Sequence, residues 1–526
     1  MPPSQQQLPS RPNLDQLRKQ AKDLFAAWRA GDSDALSWLR EHHPEHATAE
    51  SLPADLRLSD AQLVTARRYG FPSWPRLKEE VELANLKFEQ RVSLFVRSAV
   101  DASTGPVDGS FLLAKRMLAR EPALARSGVY TALVLGDAEA VRRQIAADPD
   151  WVRTAGGPAK RQPLSYVTYS KFHRDSAQTA EGLLAIARLL LDHGADPDVP
   201  FLVPDWADSP LRPLLGACGV ADFPAMAELL LDRGASTDDN ESVYHSLEHP
   251  DTRCLELLLA RGAATRGTNA LNHAFDRKGS ERVRLLLEHG ADPNEEIGDN
   301  GPPLFVAIQK GHDRTVLEML VAHGADIHAR RADGRSAWQV ALQHGQQESA
   351  DVLAALGAAG EATPFERFAA ACGQGDVDAA RRVVAETPDF FASLSHQDYA
   401  VFLRLAQLGK AEMIAAMIDG GFPLGLAGPL NQTALHWACW HGWRDTVEAL
   451  LSRGAEIEAK EKQWGGTPLG WAVHGSDNWP NPDGDYPGVV RLLLARGAAV
   501  GGVQVGGSPE VADLLRAAGA QESEEE

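Results

Sequence analysis

The sequence predicts an all-α protein: a solenoid of helix–turn–helix units with short β-turn tips, preceded by a helical N-terminal region. Three observations carry this. Leucine-rich helical stretches end repeatedly on a Gly-Ala pair, as at Gly194, Gly234, Gly262, Gly290, Gly324 and Gly357. Those glycines fall 40, 28, 28, 34 and 33 residues apart, the spacing of a repeat array. Residues 431–457 hold one complete unit: a tight turn, a short helix, a second helix and a Gly-Ala stop. A single such unit cannot bury its own apolar face, so it implies neighbours.

Residues 1–12 are polar and contain proline, and read as a disordered tail. From Leu14 an apolar stripe runs through Leu17, Ala21, Leu24, Phe25 and Trp28, a helix that Gly31 ends. A short helix follows through Leu36 and Leu39. Ser59 and Gln62 have capping-box spacing and start a third helix, which stops at Gly70. Pro75 sits in the first turn of a fourth, expected to continue past Lys87 towards Val100. Ser103, Gly105, Pro106 and Gly109 mark a break. The region 13–100 is thus helical without the repeat pattern, and is expected to act as a cap on the first repeat, since array ends expose apolar faces. Repeats then fill 101–355 and 356–520, with an insertion near 475–487 and an acidic tail at 521–526. Divergent units are expected around 132–148, 368–384 and 401–421.

Within a unit the pattern explains the stack. Val283, Leu286 and Leu287 share one side of a helix, with Arg282, Arg284 and Glu288 on the other. Each buried leucine contributes about 1.5–3 kcal/mol over exposure. Gly290 suits the left-handed position after a helix, and Pro293 prevents continuation. His193, His289 and His323 each precede a stop glycine, where a ring nitrogen reaches free carbonyls. Thr433 and Thr467 head first helices and cap them.

Composition narrows the function. The chain has 526 residues and a formal net charge of −20, which repels phosphate backbones and argues against a nucleic-acid partner. Residues 11–97 balance fourteen Lys or Arg against thirteen Asp or Glu, so the surplus acid lies in the later array. Cys218, Cys254, Cys372 and Cys439 are far apart and lie in apolar helical stretches, which disfavours a disulfide scaffold or zinc site. His42, His43 and His46 form the one dense histidine group and read as a polar helix end rather than a metal site. No run is long and apolar enough for a membrane span, and no apolar leader precedes Pro12, so a cytoplasmic location is expected. G-x-S-x-G, H-E-x-x-H and the P-loop signature are absent.

Thr433-Ala434-Leu435-His436-Trp437-Ala438 follows the T-P-L-H-x-A pattern, with Ala434 in the proline place. These residues and the Gly-Ala stops resemble the ankyrin-repeat family, over roughly 130–520. Phe305 and Gln339 depart from it at the histidine place, where His436 is expected to hydrogen-bond backbone. The segments 17–24 and 69–75 look like leaders attached to bacterial ankyrin proteins. The resemblance implies a curved solenoid whose turn tips and first helices line a concave face that binds another protein, with no shared catalysis, cofactor or metal. Position in the repeat then places Gln309, Lys310, Gln343, His344, Trp440 and His441 on that face, with Arg335 and Trp464 from turns and His474 from the next unit. Trp437 and Trp471 align with buried positions, and Trp440 and Trp464 with exposed ones. The expected function is a non-enzymatic protein-binding scaffold. The alternative is an enzyme with an unrecognised site in the N-terminal helical region or the C-terminal aromatic region.

Overall fold

One local recipe recurs along the chain. In the pair Pro303–Lys310 and Arg314–Ala322, Gly311 reverses the backbone at φ +77° and the Asp313 carboxylate caps the second helix through the Val316 N–H at 3.2 Å. The second helix ends at Gly324, φ +96°, in a region where a Cβ costs energy. Ala325 N–H then closes the stop on the Leu320 carbonyl at 3.0 Å, and its methyl is buried. The stop is therefore the Gly-Ala pair: one residue for backbone freedom, one small enough to tuck inward. At the same place His193, His289 and His323 hold the carbonyls of Leu189, Leu285 and Met319 through Nδ1 at 2.8 Å.

Eleven such helix pairs run from Val129 to Ala495 among the described residues, making an all-α repeat solenoid. The divergent stretches are pairs too: Val129–Leu135 with Ala138–Ala147, Pro364–Gly373 with Val377–Glu386, and His396–Gln407 with Ala411–Asp419. Turn tips carry isolated two-residue bridges, such as Arg330 with Ser336 and Ala427 with Thr433.

The computed structural model describes residues 6–9, 11–43, 56–71, 73–102, 109–203, 210–239, 241–296, 301–478 and 480–522. His46, Trp479 and most of the break at 101–109 and of the tail at 521–526 lie outside them. The chain divides into two compact units. One comprises residues 1–91, 439–444 and 457–526, and the other residues 92–438 and 445–456.

In the first unit the leader builds its own interior. Leu17, Ala21, Ala66, Tyr69, Trp74, Leu77 and Val81 form one cluster, and Leu24, Trp28, Ala35, Leu39, Ala61 and Val64 a second. The tail expected to be loose is pinned from residue 6: Gln6 N–H bonds the Arg68 carbonyl at 2.7 Å, and Leu8 packs on the first cluster. The third helix begins at Leu58, and the Asp60 carboxylate takes the Arg57 N–H at 2.7 Å. The fourth, Trp74–Asn85, does not run on past Lys87. A new helix, Phe88–Ala99, starts there, with Gln90 Oε1 accepting the Lys87 N–H at 2.8 Å. At the other end of the chain the helix Pro509–Ala518 stands alone, flanked by the parallel strands Gln504–Val505 and Gln521–Glu522. That pairing orders the first residues of the acidic tail. Leader and last helix meet where Arg57 Nη1 donates to the Arg516 carbonyl at 3.2 Å.

Cys218, Cys254 and Cys372 in the second unit and Cys439 in the first are free and buried. A group of rings including Phe365, Phe368, Phe390, Phe402 and Phe422 fills the space around the two divergent pairs that precede residue 420.

Candidate functional site

The start of each first helix explains why the histidine of the motif is replaceable. His436 is fully buried, and its Nδ1 accepts the Thr433 N–H at 3.1 Å and lies 2.9 Å from Thr433 Oγ1. Gln339 does the same for Ser336 N–H at 3.0 Å, Glu366 for Thr363 N–H at 2.7 Å, and Asp398 for Ser395 N–H at 2.8 Å. All four are capping-box acceptors three residues past the cap. At Phe305 the capping residue is Pro302, which has no N–H to satisfy, so a buried phenyl ring fits.

Arg335, expected as an exposed turn contact, is a structural hub. Its side chain is 15% exposed and pairs with Asp398 at 2.5 Å, Asp333 at 3.0 Å and Glu366 at 3.7 Å. It thereby ties three successive caps together. Gln309, Gln343 and His344 were expected on the binding face and are buried instead. The reason is the close approach of first helices: a Cβ on Gly373 would lie 2.4 Å from Gly345 Cα, which seals the residues just before Gly345. Burial first, and then Arg404, Arg331 and Lys410, pull the His344 pKa down to about 3, so the ring is neutral. Lys310 is partly exposed and bonded to Asp276. It ends a chain of polar side chains in which Asp276 meets His273 at 3.0 Å, and Glu248 meets His245 at 3.0 Å and His273 at 3.8 Å. Burial opposes charge on His245, but Glu241 and Glu248 outweigh it and raise its pKa to about 9.

The remaining expected residues, Trp440, His441, Trp464 and His474, all fall in the first unit. Trp440 lies edge-on to Trp471 with centroids 5.5 Å apart, and 5.2 Å from the His474 ring. Trp440, Trp471 and His441 are half-buried and His474 is exposed, so Trp471 is less enclosed than its alignment implied; Trp437 is also half-buried. The helix Pro468–Asn478 reaches into the expected insertion, and the residues after it are stitched down rather than left as a solvated loop. Tyr486 Oη donates to the Trp440 carbonyl at 3.0 Å, Asn481 Nδ2 to the His441 carbonyl at 2.9 Å, and Asp485 N–H to the Gly442 carbonyl at 2.9 Å. Trp464 is 77% exposed. Its loop is organised by Glu461, a 3% exposed carboxylate that accepts the N–H groups of Gln463, Trp464 and Gly466 at 2.6, 2.8 and 2.9 Å. Glu461 was missed from sequence, although an acid followed by Gly465-Gly466 in a tight turn is the available signal. The arrangement leaves the Trp464 indole and the His474 ring exposed on hydrogen-bonded backbone.

Among the described residues no group of three or more His, Cys, Asp or Glu is placed to hold a metal ion. No helix of the described residues is long and apolar enough to cross a membrane.

Residues 402–502 match the family model described as ankyrin repeats, in three copies. Serine/threonine-protein kinase 12 of Arabidopsis thaliana is 41% identical over 94 residues, 18% of this chain and 18% of that protein. Palmitoyltransferase Hip14 of Drosophila melanogaster is 28% identical over 103 residues, 19% of this chain and 15% of that one. The chain thus spans less than a fifth of the length of either relative. Among solved structures, the human ASB11 ankyrin repeat domain is similar at 18% identity and a TM-score of 0.23, covering 44% of this chain and 98% of that chain.

Proposed function

We propose, from the premise that this chain carries ankyrin repeats at residues 402–502, that it is a non-catalytic cytoplasmic scaffold that binds another protein through Trp464, Trp440, His441 and His474. The observation that carries the reading is Trp464, 77% exposed on a loop that Glu461 holds rigid. Leaving a large indole in water is unfavourable, and tryptophan dominates binding hot spots. Pre-ordering the loop lowers the entropy lost on docking. In the second unit Lys310 is proposed as a separate contact, while Arg335, Gln309, Gln343 and His344 act through packing. Four free, buried cysteines suit a reducing compartment.

Trp464→Ala and Trp440→Ala are expected to weaken capture of the native partner, each by about 2 kcal/mol or roughly thirtyfold. Trp464→Ala should leave the melting temperature within a degree or two, because its ring packs on little. Co-purification from the source cell and calorimetric melting read the two effects separately. Equal losses of binding and melting temperature for Trp464→Ala would defeat the proposal.

The leader is proposed to cap the first repeat, and its Arg57 contact with the helix Pro509–Ala518 adds a second surface that it covers. Removing the residues before about Asp101 should then turn a monodisperse protein into an aggregating one in size-exclusion chromatography. A soluble truncated chain that merely loses a partner would make the leader a separate recognition module.

A further inference from the structure

The second unit holds a cleft of about 1030 Å3 between the end of the helix Phe88–Ala99 and the tips of two turns, 158–161 and 200–203. Its chemistry is unlike the rest of a chain whose net charge is −20. Arg97 and Lys160 stand exposed at its rim, Arg161 lies in its wall, and Asp101 is the one carboxylate among its described lining residues. Arg161 is committed to the fold: its Nη1 donates to the Val100 carbonyl at 2.9 Å and its guanidinium lies 4.0 Å from the Phe201 ring centre. Among the described lining residues, Arg97 and Lys160 are the cations left to face a ligand. Pro158, Phe201 and Leu202 supply an apolar floor, and Leu202 is 65% exposed.

The turn that carries Lys160 is built at a cost. Lys160 has φ +54°, a left-handed conformation that costs a residue with a Cβ about 1–2 kcal/mol and that glycine adopts freely. The turn is nonetheless fixed. Lys160 N–H bonds the Gly157 carbonyl at 3.1 Å, and Tyr166 Oη accepts the Ala159 N–H at 2.8 Å while donating to the Gly156 carbonyl at 2.7 Å. A strained residue held by a rigid turn, with its ammonium at the mouth of a cleft, points to use of that ammonium.

We infer that this cleft is a second binding site, for an acidic peptide segment, with Arg97 and Lys160 pairing its carboxylates and Phe201 and Leu202 taking an apolar side chain. A peptide is favoured over nucleic acid because the acidic chain as a whole repels a phosphate backbone, whereas a few local carboxylates need only the local cations. The volume also suits a short segment rather than a broad surface.

The test uses the full chain and a fluorescein-labelled peptide alternating Glu and Leu, with Gln-Leu and Lys-Leu peptides as controls, read by fluorescence anisotropy. The acidic peptide should bind saturably, and its Kd should rise with salt. Arg97→Ala with Lys160→Ala should weaken it at least tenfold. Lys160→Gly removes the ammonium while relieving the strain, so it should lose affinity with an unchanged or raised melting temperature. Equal binding of the Glu-Leu and Gln-Leu peptides, or unaltered affinity in Lys160→Gly, would overturn the assignment. Tighter binding of a single-stranded oligonucleotide than of the acidic peptide would overturn the ligand class.

Discussion

Arg335→Ala is expected to lower the free energy of unfolding by about 3–5 kcal/mol, the cost of breaking a buried ion pair from one side. The loss is not that of one contact. Glu366, with a fully buried side chain, and Asp398, 8% exposed, would both keep their charge without their shared cation. Both also serve as cap acceptors for Thr363 and Ser395, so they cannot swing out to water without uncapping two helices. Burial already raises the Glu366 pKa, and the Arg335 charge works against that rise. A carboxyl whose folded pKa is raised binds more protons folded than unfolded, so its penalty fades as pH falls through that window. The deficit of Arg335→Ala relative to wild type should therefore shrink between pH 7 and a pH near the ordinary Glu value of 4.5. Adding Glu366→Gln, which keeps a cap acceptor and removes the charge, should recover part of the loss. Urea unfolding midpoints of the two single variants and the double variant give the coupling directly. A midpoint for Arg335→Ala that matches wild type would show that the hub is solvated and dispensable.

Gly475→Ala is the second large effect. A Cβ there would lie 2.1 Å from the Trp440 carbonyl oxygen. The obstacle is helix backbone rather than a side-chain tip, so the Ala434–Trp440 helix has to move as a body. We expect a loss of about 3 kcal/mol or more, at or above the upper end for overpacking. Gly290→Ala, with nothing within 4 Å of its Cβ, should cost only the conformational term of about 1 kcal/mol. Gly475→Ala should also shift the emission of the tryptophans, because it separates Trp440 from Trp471 and His474. If both glycine variants unfold at one midpoint, the close approach of those two helices is not as drawn.

What was legible in the sequence was whatever a few neighbouring residues decide. Gly324-Ala325 and its equivalents announce their stops because the left-handed backbone needs glycine within that same turn. Free cysteines, helix pairs and the Nδ1 bonds of His193, His289 and His323 follow from local spacing in the same way. The misplacements share one cause: a partner remote in sequence. Gln343 and His344 are enclosed because Gly345 meets Gly373. Arg335 is a hub because its acids are Glu366 and Asp398, one and two repeats on. Trp464 lies outside as expected because a turn tip is exposed whatever it packs beside, and Glu461, which fixes the loop through N–H groups two to five residues on, is the one miss whose signal was local. The cleft at Arg97 and Lys160 draws on residues more than sixty positions apart, beyond the reach of any periodicity.

The bond from Arg57 to Arg516 spans 459 positions of chain. At a synthesis rate of about 5–20 residues per second, the leader leaves the ribosome roughly 20–90 s before its counterpart exists. In that interval it survives on its own two small clusters while the helix pairs between are laid down one by one. The helix around Arg516 is thus made long after the leader it touches, and a product stalled between the two leaves that face of the leader uncovered.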